Sequence, residues 1–369
     1  MIPLFKVYMN KQAGDAAKQV INSGYIGQGK VVTAFEKQLQ IWFAHPLIVT
    51  LNSGTSALHL ALHILKESRT KVLTSPLTCT ATNWPILANG LDIEWVDVDP
   101  KTLNMDLDDL ARKITKDTKI ILLTHWGGNP IDLHKVNDVI KRSYSKYGFA
   151  PKIIEDCAHS FGTKFADQYL GTHGNICMYS LQAIKHVTAV DGGLLMLPDI
   201  EQYKRARLLR WYGIDRDTER TDMRCEIDVD EWGFKFHMND VNAAIGMKNL
   251  EDANVVINKH KENGAYYNEN LKNVDGIELI EVHHLADPAY WLYIIKVEDR
   301  PQFIKHMNAC EIMVSRVHER NDTHSCVIPY RRILPGLDSI MDKYICIPVG
   351  WWVTNKDRKH IVDCIKKGW

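Results

Sequence analysis

Between residues 46 and 200, short apolar runs alternate with stretches whose apolar positions recur every three or four residues. Residues 46–51 read as a strand. Residues 55–66 follow with Leu58, Leu62 and Leu65 at helical spacing. The rhythm then repeats: strand at 71–75, helix at 81–88, strand at 93–98, helix at 107–114. A strand at 119–125 has the continuous apolar centre Ile120-Ile121-Leu122-Leu123, and a helix at 131–142 and a strand at 152–155 complete the series. Strands apolar along their length are buried on both faces. The pattern predicts an α/β domain, a mainly parallel sheet covered by helices on each side. Residues 175–179 add one more strand-like run, ahead of a serine-led loop and the pair Gly192-Gly193.

Past residue 200 the pattern changes. Residues 200–211 read as a helix that Gly213 is placed to end. Residues 216–230 are highly charged without apolar periodicity, as in an exposed loop. Helices are expected at 239–250 and 255–271. A strand at 291–297 and helices at 301–310 and 355–366 then suggest a smaller α+β domain. The boundary falls near residue 250, inside a helical connection, dividing the chain into 1–250 and 251–369.

Composition narrows the function classes. A chain of 369 residues suits two domains. Its 45 basic and 45 acidic side chains leave no electrostatic footprint for nucleic acid or an anionic membrane. The eight cysteines are scattered without a C-x-x-C pair, which argues against a metal cluster or disulfide scaffold and for free thiols in a reducing compartment. Met1-Ile2-Pro3-Leu4-Phe5-Lys6 lacks the apolar core of a signal peptide. No run approaches the roughly 18 apolar residues that span a bilayer. A soluble cytoplasmic protein is expected.

Three short segments carry chemistry. Asn52-Ser53-Gly54-Thr55-Ser56-Ala57-Leu58 follows a strand and opens a helix. Glycine permits close backbone approach there, and first-turn amides with nearby hydroxyls suit a phosphate. Ordinary capping by Ser53 or Thr55 is the simpler reading of the segment alone. The G-x-G-x-x-G spacing of a dinucleotide site is absent. Asp156 lies just past a buried strand, where open α/β sheets place ligands. A carboxylate facing a pyridine nitrogen keeps it protonated, although a lone Asp equally caps helices. His159 is placed to bond a ring's phenolic oxygen, although single histidines are more often structural. Lys185 must be neutral to attack an aldehyde, which burial and nearby positive charge promote. Alone it reads as a surface charge. With Asp156, Ser180 and the Gly54 turn it makes the minimum equipment of a pyridoxal-phosphate enzyme.

Taken in order, the motifs resemble the DegT/DnrJ/StrS family of pyridoxal-phosphate-dependent sugar aminotransferases. They are Gly27-Gln28-Gly29 with Phe35-Glu36, the Asn52–Leu58 segment, Asp97-Val98-Asp99, Glu155-Asp156-Cys157-Ala158-His159-Ser160-Phe161-Gly162, Tyr179-Ser180 with Lys185, Asp191-Gly192-Gly193, and Asn239-Asp240 with Ala243-Ala244-Ile245-Gly246. The likeness runs to about residue 320.

The resemblance implies a fold-type-I aminotransferase: a large cofactor domain (1–250), a small C-terminal domain (251–369), and a homodimer with shared sites. It makes Lys185 the Schiff-base lysine and Asp156 the pyridinium partner. His159 then lies near the ring oxygen, and Ser180, Thr55 and Ser56 hold the phosphate. Cys79 stands where many members stack an aromatic ring, with Trp84 a neighbour able to replace it. Lys235 stands where an asparagine reaches the partner subunit's cofactor. His318 borders the sugar pocket, and Arg210, Lys235, Arg316 and His318 are candidates for the nucleotide's phosphates. The implied reaction moves an amino group from glutamate, by way of pyridoxamine 5'-phosphate, to a nucleotide-linked 4-keto-6-deoxy or 3-keto sugar. A keto-cyclitol aminotransferase and a cofactor-binding regulator without turnover are the alternatives. One branch of the family replaces the lysine by histidine and dehydrates its substrate. His186 follows Lys185 here, but Lys185 itself favours transamination.

Overall fold

The computed structural model describes residues 1–67, 70–218, 222 and 228–369. Helices α1 (Ala13–Ser23) and α2 (Lys30–Phe43) precede β1 (Ile48–Leu51). Then come α3 (Gly54–Leu65), β2 (Lys71–Thr74), α4 (Thr80–Ala88), β3 (Asp92–Trp95), α5 (Leu107–Lys113), β4 (Thr118–Thr124), α6 (Leu133–Tyr147) and β5 (Lys152–Asp156). The short strands β6 (Lys164–Phe165) and β7 (Gln168–Tyr169) lead to β8 (Ile176–Ser180), β9 (Gly193–Met196) and α7 (Ile200–Leu209). Next are α8 (Asp240–Glu251), α9 (Ala253–Leu271), β10 (Ile277–Leu279), β11 (Ala286–Asp287), β12 (Tyr293–Val297) and α10 (Arg300–Ala309). The chain ends with α11 (Pro335–Ile340), β13 (Tyr344–Ile347) and α12 (Asn355–Lys366).

The main sheet has the order β1-β9-β8-β5-β4-β2-β3. All its strands run the same way except β9, which is antiparallel to both neighbours. This is the expected mainly parallel sheet. Its central strands are buried along their length, and two apolar cores lie on its two faces: Val49, Leu122 and Ile154 belong to one, Ile48, Ile121 and Ile153 to the other. Period-two alternation along each strand splits the side chains between them.

The anticipated elements are found with shifted ends. The expected helix at 131–142 runs over Leu133–Tyr147, capped by Asp132, whose side chain accepts from the Lys135 amide. Helices α1 and α2 and strands β9 and β13 were not anticipated. Of the expected loop at 216–230, residues 219–221 and 223–227 lie outside the described residues.

A second, antiparallel sheet, β10-β12-β13, packs with α9, α10 and α12 around Tyr267, Phe303, Met307, Ile345 and Ile361. The amino-terminal segment is stitched to this region. Ile2 bridges to Ile312, and Trp352 Nε1–H donates to the Pro3 carbonyl at 2.9 Å.

Two motifs distant in sequence meet at the start of α2. The buried carboxylate of Asp240, on the first turn of α8, accepts from the amides of Gly29 (2.8 Å), Val32 (3.0 Å) and Val31 (3.3 Å). It supplies from outside the helix the cap that α2 lacks.

Candidate active site

The carboxyl ends of β1, β5 and β8 open onto one cavity of about 650 Å³, where an α/β sheet presents its ligands. Seven of the expected site residues line it: Thr55, Cys79, Asp156, His159, Ser180, Lys185 and His318.

The Ser53–Thr55 turn forms one wall. The Ser53 hydroxyl accepts from the Ser56 amide at 3.0 Å, so Ser53 caps α3. The amides of Gly54 and Thr55 have no intrahelical partner by geometry. A Cβ on Gly54 would lie 3.0 Å from Met178 Sδ and 3.1 Å from Ser180 Cβ. One on Gly193 would lie 2.4 Å from the Ser53 carbonyl oxygen. Glycines therefore let the turn sit directly against the ends of β8 and β9. Ser56 stands behind this turn. Its Oγ accepts from Ser53 Oγ at 2.9 Å, and it does not line the cavity.

Asp156 terminates β5 and is 3 % exposed. Its Oδ2 accepts from Thr82 Oγ1 at 2.6 Å and its Oδ1 from the Ala158 amide at 2.9 Å. Thr78 and Thr82 hydroxyls lie 2.8 Å apart, and since Thr82 donates to Asp156, Thr78 donates to Thr82. Burial pushes the Asp156 carboxyl above its ordinary range, against the opposing pull of Thr82, Ala158 and Lys185. Such a carboxylate gains most from a cation placed beside it.

Lys185 sits in a turn closed by its own amide to the Gln182 carbonyl at 3.0 Å. Burial pushes its amine down to about 7, partly offset by Asp156 and Cys79. Near neutral pH a large fraction of it is the free amine. His159 Nδ1 accepts from the Gly127 amide at 3.3 Å, which assigns the proton to Nε2. Burial and Lys185 hold this ring well below the usual histidine range, so it is a neutral donor. His318 is neutral for the same reasons, pushed to about 4, and its buried Nε2 has no partner among the described residues.

Other expected residues lie elsewhere. Lys235 is exposed, away from this cavity, and its carbonyl accepts from Asn52 at 3.3 Å. Arg210 is buried against Glu36 and the Thr50 carbonyl, so its charge is spent inside the fold rather than on a ligand. Arg316 pairs with Glu319 at 2.6 Å. Trp84 packs against His324 and does not line the cavity. Thr82 and Trp291, together with Pro3 to Phe5, were not anticipated at the site, yet all line it. Thr82 carried a readable signal, the Thr78/Thr82 pair at i,i+4 beside Cys79. Trp291 carried none, because tertiary packing alone brings it there.

The donor set fits pyridoxal phosphate: open amides for a phosphate, a buried carboxylate short of a cation, a neutral N–H donor and a part-neutral lysine. The chain is 48% identical to AtS13 from Actinomadura melliaura, covering 100% of this chain and 99% of that one, with a TM-score of 0.98. It is 45% identical to the sugar aminotransferase CalS13 from Micromonospora echinospora over 100% of both chains, with a TM-score of 0.97. It is also 32% identical to the dTDP-4-dehydro-2,3,6-trideoxy-D-glucose 4-aminotransferase of Saccharopolyspora spinosa, over 83% of this chain and 81% of that protein. The family model matched by residues 7–366 is that of the DegT/DnrJ/EryC1/StrS aminotransferases, and the chain belongs to that family.

Proposed function

We propose that the protein is a pyridoxal-phosphate-dependent aminotransferase that takes an amino group from glutamate and delivers it to a nucleotide-linked keto-sugar. The observation that carries the reading is the Lys185 amine, lowered to about 7, sharing one cavity with the cation-poor Asp156 and the open start of α3. Family membership and the printed activity of the Saccharopolyspora spinosa relative support the substrate class.

When bound, the cofactor supplies an aldehyde that exchanges amines and a ring that takes up electrons from the substrate carbon. The chain's residues divide the remaining work. Lys185 Nζ would be the covalent anchor and, when free, would hold and return a proton as acid and base. Asp156 would hold the proton on the ring nitrogen. His159 Nε2–H would donate to the ring oxygen, and the Gly54 and Thr55 amides with Ser180 would bind the phosphate. His318 Nε2, uncharged and without a partner among the described residues, would meet the sugar. Lys235, exposed and not lining its own cavity, would serve the cofactor phosphate of a second copy in a homodimer. The division near residue 250 is supported by the break between α8 and α9 at Asp252 and by the separate apolar core of the C-terminal sheet.

The reading is tested by loading the chain with pyridoxal phosphate. Visible absorbance of the lysine-bound cofactor disappears on adding glutamate and returns with a keto-sugar nucleotide. Lys185→Ala lacks that absorbance from the start. An unchanged spectrum in Lys185→Ala, or a wild type indifferent to every amino donor, overturns it.

A further inference from the structure

The cavity contains an aromatic ring that the proposed chemistry leaves without a task. Trp291 lies just ahead of β12, and its ring stacks on His159 with centroids 3.8 Å apart and planes 20° off parallel. Lys185 Nζ stands over the same ring, 3.6 Å from its centroid. The indole Nε1–H donates to the Ile184 carbonyl at 2.9 Å, the residue before the lysine. Phe5 stacks on it at 5.2 Å. The ring is thus fixed to the lysine's own backbone while touching its amine and its neighbouring imidazole.

The segment carrying Trp291 is held just as firmly. His186 Nε2–H donates to the Ala289 carbonyl at 3.0 Å, and His260 Nδ1–H to the Tyr290 carbonyl at 2.8 Å. The Ala289 amide donates to Thr163 Oγ1 at 2.9 Å. The histidine beside Lys185 is therefore a strut for the tryptophan's segment.

Resting on Lys185 as the cofactor anchor, we propose that Trp291 is a positioning residue that holds the Lys185 amine on its π face and braces His159 against the same ring. A π face attracts the ammonium more than the free amine, which opposes the effect of burial. The titratable groups around the amine are Asp156 from β5, Cys79 at the start of α4, His159 and His318 from their loops, and His186 on its own turn.

The test compares Trp291→Met with Trp291→Phe. Both lose the Nε1–H bond, both fill most of the space, and only Phe keeps a π face. In the cofactor-free chain, acetic anhydride labelling of Lys185 is followed against pH by peptide mass spectrometry. The expected midpoint falls by about one pH unit in Trp291→Met, with Trp291→Phe close to wild type. In the loaded enzyme, kcat falls about tenfold in Trp291→Met, with KM for the keto-sugar nucleotide within about twofold. A midpoint that stays or rises in Trp291→Met, or equal behaviour of the two variants, overturns the proposal. Should Trp291→Met not fold, Trp291→His, with a weaker face, takes its place under the same criteria. Labelling needs neither cofactor nor substrate, so its outcome stands apart from whether wild type takes up pyridoxal phosphate at Lys185.

Discussion

Two helices start close to the same sheet and end up chemically opposite. At α2, the Asp240 carboxylate accepts from three amides and closes the helix end with charge supplied by the chain itself. At α3, Ser53 takes one amide and the others face the cavity. Both ends favour an anion by the same dipole and the same unpaired N–H groups. Where the fold brings its own anion, the junction is structural. Where it leaves the place open, it has made room for a ligand. The same contrast extends to side chains: Asp240 is fully served by backbone donors, whereas Asp156 and Lys185 carry shifted proton affinities that only a further partner relieves.

The strongest way to break this contrast is Gly193→Ala. Its Cβ, 2.4 Å from the Ser53 carbonyl, displaces the open turn. Pyridoxal phosphate affinity falls by about 100-fold or more, roughly 3 kcal/mol. Inorganic phosphate is expected to raise the Tm of the cofactor-free wild type, and in this variant that rise disappears. Equilibrium dialysis and thermal melts read both. Asp240→Ala attacks the closed end instead. It leaves three amides without their acceptor and costs about 2–4 kcal/mol in denaturant unfolding, with cofactor affinity within about twofold. A large loss of cofactor affinity in this variant erases the distinction.

Much of this was legible in the chain. The buried strands announced themselves as unbroken apolar runs, and the Gly54 turn, Asp156 and Lys185 stood at the strand ends where ligands bind. What stayed hidden was set by tertiary contact. Nothing local marks β9 as antiparallel, Trp291 as a neighbour of Lys185, or Pro3 to Phe5 as cavity wall. Arg210 looked available because its partner, Glu36, is far away in sequence.

Smaller effects sharpen the comparison. Ser53→Ala removes a single cap, so unfolding free energy falls by about 1 kcal/mol and cofactor affinity by only a few-fold. A separate effect concerns pH. The folded Lys185 titrates at about 7 against an ordinary 10.5. Between these values the unfolded chain binds more protons at this site, so stability rises with pH across that window: the buried amine costs most below about 7, and the cost is gone above 10.5. In the cofactor-free chain, Lys185→Met melts above wild type at pH 7, and the gap narrows toward pH 10. A constant gap refutes the depressed amine.

Strand β9 gives the phosphate-facing turn a place in time. Among the described residues, 48–51 sit at one edge of the sheet and join it only through 193–196. Closing so long a loop is among the slower events of folding. A chain emerging from the ribosome therefore has its Ser53–Thr55 segment early but no site there until Gly193 has been made. Cofactor capture belongs to the finished chain, and a truncation between Lys185 and β9 forfeits it although Gly54, Thr55, Ser180 and Lys185 are all present.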